Sequence, residues 1–380
     1  MSRSPRPHIR AHRTRAAAAA ITLVAVVAAI AACTSSTHGA ATSVGSRSGA
    51  SSHARSAPAP KATPSRPPGE FTISFAGDVH FMDRVGVRLA ANPATVFGEA
   101  AAVLRKADIT MVNLETAITT GGVPQDKAFH FRAPPIALTA LRDAGIDVAT
   151  EANNHGADYG DAGLADTLAA IKASRFPVIG IGADDTQAFA PYKRTVNGTK
   201  LAILAADQVQ DETTLRLFSA GPGKPGVANA FSPLLPAAVR ALKAQGYLVI
   251  VYVHWGTEHV FCPNDNQRTL ADQLAQAGAT AVIGTHAHEL QGAGWRPDGV
   301  FVAYGLGNYL WFKGAGDDSP DNGVLTLTFR GGTVVADTFQ ASHLDDRGVP
   351  MPATGATKQR IDAEWASVRE CAGLAATRPR

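Results

Sequence analysis

The sequence predicts an α/β fold, largely parallel early in the chain. Three observations carry this. From residue 71 onward, short apolar runs of strand length alternate with stretches of helical period. Five of those runs end in clusters of His, Asp, Glu and Asn, the place where α/β sheets present groups to ligands. After residue 295, strand-like runs follow one another without helices, which predicts an antiparallel portion.

The elements follow in order. Residues 1–33 read as a lipoprotein-type signal peptide. An arginine-rich start leads into the apolar run Ala16–Ala32, which ends "IAAC" at Cys33. Seventeen mostly alanine residues are short for a membrane span and suit a cleaved leader. Small residues before Cys33 predict a lipobox, with Cys33 lipidated and the chain anchored on the outer face of the cytoplasmic membrane. The alternative is ordinary cleavage and secretion. Residues 34–70, rich in Ser, Ala, Thr, Gly and Pro, have no hydrophobic period and predict a flexible tether.

Strands are expected at 71–76, 109–114, 146–150, 178–182, 201–206, 248–253, 280–284, 300–304 and 324–329. Helices are expected at about 95–106, 135–144, 161–174, 233–245 and 267–277. Asp161 is the expected N-cap of the third helix. One domain is placed at 71–345, followed by an extension, 346–380, with one helix at about 358–372.

The overall charge of +3 is misleading. Nine Arg and Lys precede the first acidic residue, Glu70. Removing those nine from the 35 basic residues leaves 26 against 32 acidic ones, a net of about −6 for the folded part. That argues against a duplex nucleic acid partner, which needs a basic face, and leaves room only for a local basic patch. With Cys33 acylated, Cys262 and Cys371 remain, an even pair that an oxidising compartment would let bridge.

Five strand ends carry the chemistry. "AGDVH" brings Asp78 and His80; "VNLE" brings Asn113 and Glu115; "EANNHGADYG" brings Asn153, Asn154 and His155; "VHWG" brings His254; "GTHAH" brings His286 and His288. Each has an ordinary reading alone: a helix cap at Asp78, turn residues at Asn113 and Glu115, an Asx turn at Asn154, a core histidine at His254. His286 and His288 are the sharpest pair, because alternate residues of an extended chain point the same way. Taken together, four histidines, two carboxylates and a carboxamide fall at strand ends of what reads as one sheet. Imidazole with carboxylate suits Mn, Zn or Fe. Seven donors suit two ions roughly 3.5–4 Å apart.

These blocks, together with "LRDAGIDVATEANNHGADYGDAGLADTL", "AQAGATAVIGTHAHELQG" and "YGLGNYLW", resemble the capsule synthesis proteins of CapA type, associated with poly-γ-glutamate and related to calcineurin-like metallophosphoesterases. The resemblance covers about residues 71–315. It implies a four-layer α/β/β/α sandwich and two divalent ions. The implied ligands are Asp78, His80, Glu115, Asn154, His254, His286 and His288. His155 would lie beside the metals as the catalytic histidine. Glu115 stands where typical phosphoesterases of this fold carry a bridging Asp. Arg132, in a loop before two prolines, could meet an anionic substrate or be a solvated charge; Asn113 and Asn153 are the other candidate substrate contacts.

Three functions are consistent with this reading. The first is metal-dependent hydrolysis or transfer on a cell-surface polymer or peptide. The second is a non-catalytic, membrane-tethered subunit that binds acidic polymer or a membrane synthase. The third is peptide epimerisation. Two other chemistries are disfavoured: "GIGADD" lacks the third glycine of a dinucleotide fingerprint, and no Gly-x-Ser-x-Gly elbow is present.

Overall fold

The computed structural model describes residues 66–209, 211, 213–312 and 319–380. The leader, Cys33 and the tether up to residue 65 lie outside the described residues. Strands β1 (Phe71–Val79), β2 (Ile109–Leu114), β3 (Val148–Thr150) and β4 (Val178–Ile179) lie side by side and parallel in one sheet. A second sheet takes β5 (Tyr192–Val196), β6 (Thr199–Asp207), β7 (Leu248–Trp255), β8 (Ala281–His286), β9 (Ala293–Trp295) and β10 (Phe301–Ala303). Its order is β9-β10-β8-β7-β6-β5, parallel in the middle and antiparallel at both edges. The chain then returns to the first sheet. There β11 (Asn308–Leu310) runs parallel to β1, while β12 (Asp321–Arg330), β13 (Thr333–Leu344) and β14 (Pro350–Pro352) extend it antiparallel.

Side-chain alternation explains why two sheets stack. Along β1, Phe71, Ile73 and Phe75 point to the shared core. Along β7, Leu248, Ile250 and Tyr252 do so, while Val249, Val251 and Val253 point outward. A strand that is apolar on both faces must be covered on both. Helices α1 (Asp83–Ala91), α2 (Ala100–Leu104) and α3 (Ile136–Ala144) cover the outer face of the first sheet, burying Val85, Leu89, Leu104, Leu138 and Leu141. Helix α4 (Gly160–Ser174) follows beside them. Helices α5 (Leu234–Ala244) and α6 (Asp265–Ala277) cover the second sheet with Leu235, Val239, Leu270 and Leu274. The result is the α/β/β/α sandwich. Helix α7 (Gly355–Ala372) stacks Trp365 on Phe339 of β13 at 4.1 Å, and Cys371 at its end is disulfide-bonded to Cys262. Residues after 345 thus pack into the sandwich. Among the described residues no helix is long and apolar enough to cross a membrane.

Several expectations need correction. The helix expected at 95–106 is a turn of 3-10 helix at Pro93–Thr95 followed by the short α2, and α1 had no counterpart in the reading. The run 178–182 is two strands in different sheets, broken at Gly180, whose φ is +84°. Asp161 does not cap α4. The helix begins one residue earlier at Gly160, where φ is +66°, and Tyr159 precedes it without a side-chain cap.

Candidate metal centre

The polar strand ends converge where the two sheets meet at their carboxyl edges. This corrects the expectation of one sheet: Asp78, Glu115 and Asn154 come from the first, and His254, His286 and His288 from the second. Contacts lock the sheets together here. The Tyr252 hydroxyl donates to Ala76 O at 2.8 Å, and His286 N–H donates to Asp78 Oδ2 at 3.3 Å. Gly77 makes the approach of β1 to the 304–310 loop feasible, because a Cβ there would lie 1.8 Å from Gly307 O.

Three overlapping groups place one ligand atom each within 4.8 Å of the others: Glu115, His254 and His286; Asp78, Glu115 and His288; and Glu258, His286 and His288. All but the exposed Glu258 are buried. Asn154 Oδ1 lies 2.9 Å from His254 Nε2, so the amide oxygen and the imidazole converge. His286 and His288 reach the site by a different route from the one their spacing suggested. Both have positive φ, +91° and +57°, so the chain turns rather than running extended. Non-glycine residues there cost on the order of 1–3 kcal/mol each, a strain that recurs at ligand sites.

A buried amide pair supports the cluster. Asn113 Nδ2 is 2.8 Å from Asp78 Oδ1, 3.3 Å from Glu115 Oε2 and 3.1 Å from His254 Nδ1. Asn153 Nδ2 donates to Asn113 Oδ1 and to Leu114 O, both at 2.9 Å, while its Oδ1 accepts from His155 N–H at 3.0 Å. Both asparagines are fully buried. Their amides are engaged with Asp78, Glu115, His254, each other and the His155 backbone, which holds those groups in place. Asn308 Oδ1 does the same for His288 Nδ1 at 2.8 Å.

His155 stands at the edge of the cluster. Its ring stacks on Phe131 at 4.0 Å, its Nδ1 lies 2.6 Å from Asp158 Oδ2, and its Nε2 faces Glu115 Oε1 at 3.8 Å. Asp158 is anchored by Phe131 N–H at 2.6 Å and by Lys127 Nζ at 2.9 Å. A carboxylate on Nδ1 fixes the tautomer that leaves Nε2 aimed inward. His80, by contrast, is not brought into the ligand groups. Its Nε2 accepts Phe312 N–H at 3.0 Å, and its ring lies 4.3–4.6 Å from Trp311, Phe131 and Phe312. Arg132 is exposed and lies over the Tyr159 ring at 4.7 Å. Trp255 and Trp295 are core residues, while Trp311 backs His288 at 4.9 Å.

The reading missed Glu258, Asp158 and Lys127. Asp158 was legible as the i+3 neighbour of His155. Glu258 lies inside "VHWGTEH" but follows the strand by three residues, so it carries no strand-end signal.

The electrostatics fit a cation. Burial, then the adjacent Asp78 carboxylate, raises Glu115 well above the usual carboxyl range. Its Oε1 is buried with no hydrogen-bond partner. Burial, then neighbouring imidazoles, lowers His254 and His286 well below the usual imidazole range, which keeps them in the neutral, ligating form. Facing buried carboxylates and neutral imidazoles, with an unsatisfied oxygen among them, form a donor set that divalent metals complete.

The profile of the bacterial capsule synthesis proteins named PGA_cap matches residues 72–312. The chain belongs to this family. A PGA biosynthesis protein CapA from Bacillus subtilis is 29% identical over 250 residues, 64% of this chain and 64% of that protein. This chain therefore spans less than two thirds of that relative. A probable polyglutamine synthesis accessory protein from Mycobacterium tuberculosis is 29% identical over 312 residues, 76% of this chain and 79% of its own. Among solved structures, the calcineurin-like phosphoesterase YfkN from Bacillus subtilis aligns with a TM-score of 0.44 at 16% identity, over 80% of this chain and 99% of that one.

Proposed function

We propose that this protein is an exported, lipid-anchored member of its family that cuts or transfers an amide or phosphate linkage of a cell-surface polymer, using two divalent metals. One observation carries the reading: His155, braced by Asp158, presents Nε2 to the same buried Glu115 on which two ligand groups converge. Asp78, Glu115, His254, His286 and His288, with Asn154 and Glu258, would hold the metals. Metal at this cluster supplies Lewis acidity toward a carbonyl or phosphoryl oxygen.

The chain's own groups do the rest. Asn113 and Asn153 fix the ligand carboxylates and the His155 loop. Phe131 and Trp311 exclude water behind the imidazoles. His155 acts as an imidazolium whose Nε2 proton passes to the departing group; Asp158 on Nδ1 stabilises that cation before the transfer and orients the neutral ring left after it. The named roles of the two relatives, in PGA biosynthesis and as an accessory in polyglutamine synthesis, support a polyamide substrate and a place beside a membrane synthase. The arginine-rich leader, "IAAC" and the Cys262–Cys371 disulfide support export.

The test is cleavage of polyamide and phosphodiester substrates by the full chain with Mn or Zn. His155→Ala is expected to lose about 10²–10⁴-fold in turnover while binding the same amount of metal. Turnover in that variant equal to wild type, or none in metal-loaded wild type on any of these substrates, overturns the catalytic reading. Metabolic lipid labelling that persists in Cys33→Ser contradicts the anchor.

A further inference from the structure

The metal cluster opens into a cavity of about 490 Å³ lined by Asn154, His286, Glu258, Asp211, Gln208 and Asn266. A second cavity, about 250 Å³, shares Gln208 and Asn266 and continues along α6 past Thr269 and Gln273 to Ser232 and Phe231. The two cavities adjoin at Gln208 and Asn266, where Gln208 Nε2 donates to Asn266 O at 3.2 Å, and give a grooved surface beside the site. Its charge is of one sign. Among the described residues, no Lys or Arg lines either cavity, and the only charged groups lining them are the carboxylates of Asp211 and Glu258. A further acid, the exposed Asp265, sits between Asn264 and Asn266. Lys127, which reaches Asp211 and Asn154 of the lining, is engaged by Asp158, Asp211 and Asn154 O. The rest of the lining mixes carboxamides and hydroxyls with the His286 imidazole and with apolar groups, among them Val209, Pro233, Pro236, Leu270 and the 48% exposed Phe231.

We infer that this groove binds an uncharged, amide-bearing stretch of polymer, and that it selects against a chain of free carboxylates. A polycarboxylate would lose hydration along the groove and meet acids in place of cations, and like-charge juxtaposition across an interface costs several kcal/mol. Asn and Gln side chains each offer a donor and an acceptor, the complement of a primary or peptide amide. Phe231 offers an apolar face for methylene stems. Metal in the cluster does not reverse this argument, because the carboxylates of Asp78, Glu115 and Glu258 offset most of the charge two divalent ions bring. The inference rests on the proposed polymer-processing function and names its substrate class.

The test is fluorescence polarisation with the full chain loaded with Mn, using two labelled probes of equal length. One is a γ-linked glutamate decamer. The other is the same decamer with every free carboxylate converted to a primary amide. The amidated probe is expected to bind at least about tenfold more tightly. The double variant Thr269→Lys/Gln273→Lys, both exposed positions on α6, is expected to shift the preference toward the carboxylate probe by about tenfold or more, with metal content and circular dichroism unchanged. Equal or tighter binding of the carboxylate probe by wild type overturns the inference and leaves the processing reading standing. Binding of neither probe overturns both.

Discussion

Two stretches of the same strands behave in opposite ways. Along β7, Leu248, Ile250 and Tyr252 fill the core between the sheets, and His254 continues the same inward row into the metal cluster. Along β1, Phe71, Ile73 and Phe75 do the same, and Asp78 follows after a bulge. The core half is apolar and satisfied. The cluster half holds a carboxyl oxygen without a hydrogen-bond partner, imidazoles kept neutral by burial, and two histidines in left-handed backbone. One half therefore supplies stability that the other consumes, and under the proposed function a bound cation would turn the second half favourable.

The sharpest way to break that contrast is in the core. Phe75→Ala is expected to cost about 3–5 kcal/mol in urea unfolding, because the site is fully buried between two sheets that cannot collapse onto the gap. A loss under 1 kcal/mol would show that the core is not the source of stability. Next comes the Cys262–Cys371 link, which closes a loop of 109 residues and ties the segment after Glu258 to α7. Its removal in Cys262→Ser/Cys371→Ser is expected to cost about 2–4 kcal/mol, read as the difference in thermal unfolding between oxidised wild type and the variant.

The cluster half is expected to answer to metal. Mn or Zn at a hundredfold excess over Kd should add about 2.7 kcal/mol to wild type, and Glu115→Gln should abolish that gain. The smallest effect sharpens the comparison from the other side. Glu151 is buried, neither of its oxygens has a hydrogen-bond partner, and burial raises it well above the usual carboxyl range. The folded state then holds the proton more tightly than the unfolded one. Its contribution to stability is fullest below the unfolded carboxyl range and falls as pH rises through the raised value. Glu151→Met should flatten that part of the pH profile and add about 1–3 kcal/mol at neutral pH. An unchanged profile would locate the slope elsewhere.

What the sequence disclosed follows the same division. The core strands and most helices were legible because apolar alternation and 3.6-residue periodicity are local signals. The residues of the candidate cluster were legible because most of them follow strands directly. Long-range geometry was not. That Asn113 and Asn153 bond to each other, and that His80 turns into the Phe131, Trp311 and Phe312 rings, depends on how two sheets stack. The hairpin from β12 to β13 was missed although Gly331-Gly332, both with positive φ, is its local signature.

The most direct test of the central claim is metal content, by elemental analysis of the purified full chain beside Glu115→Ala and His286→Ala. About two ions per wild-type chain, reduced in both variants while circular dichroism stays unchanged, is the predicted result. A wild-type protein that is folded yet takes up no Mn, Zn or Fe when supplied would contradict it.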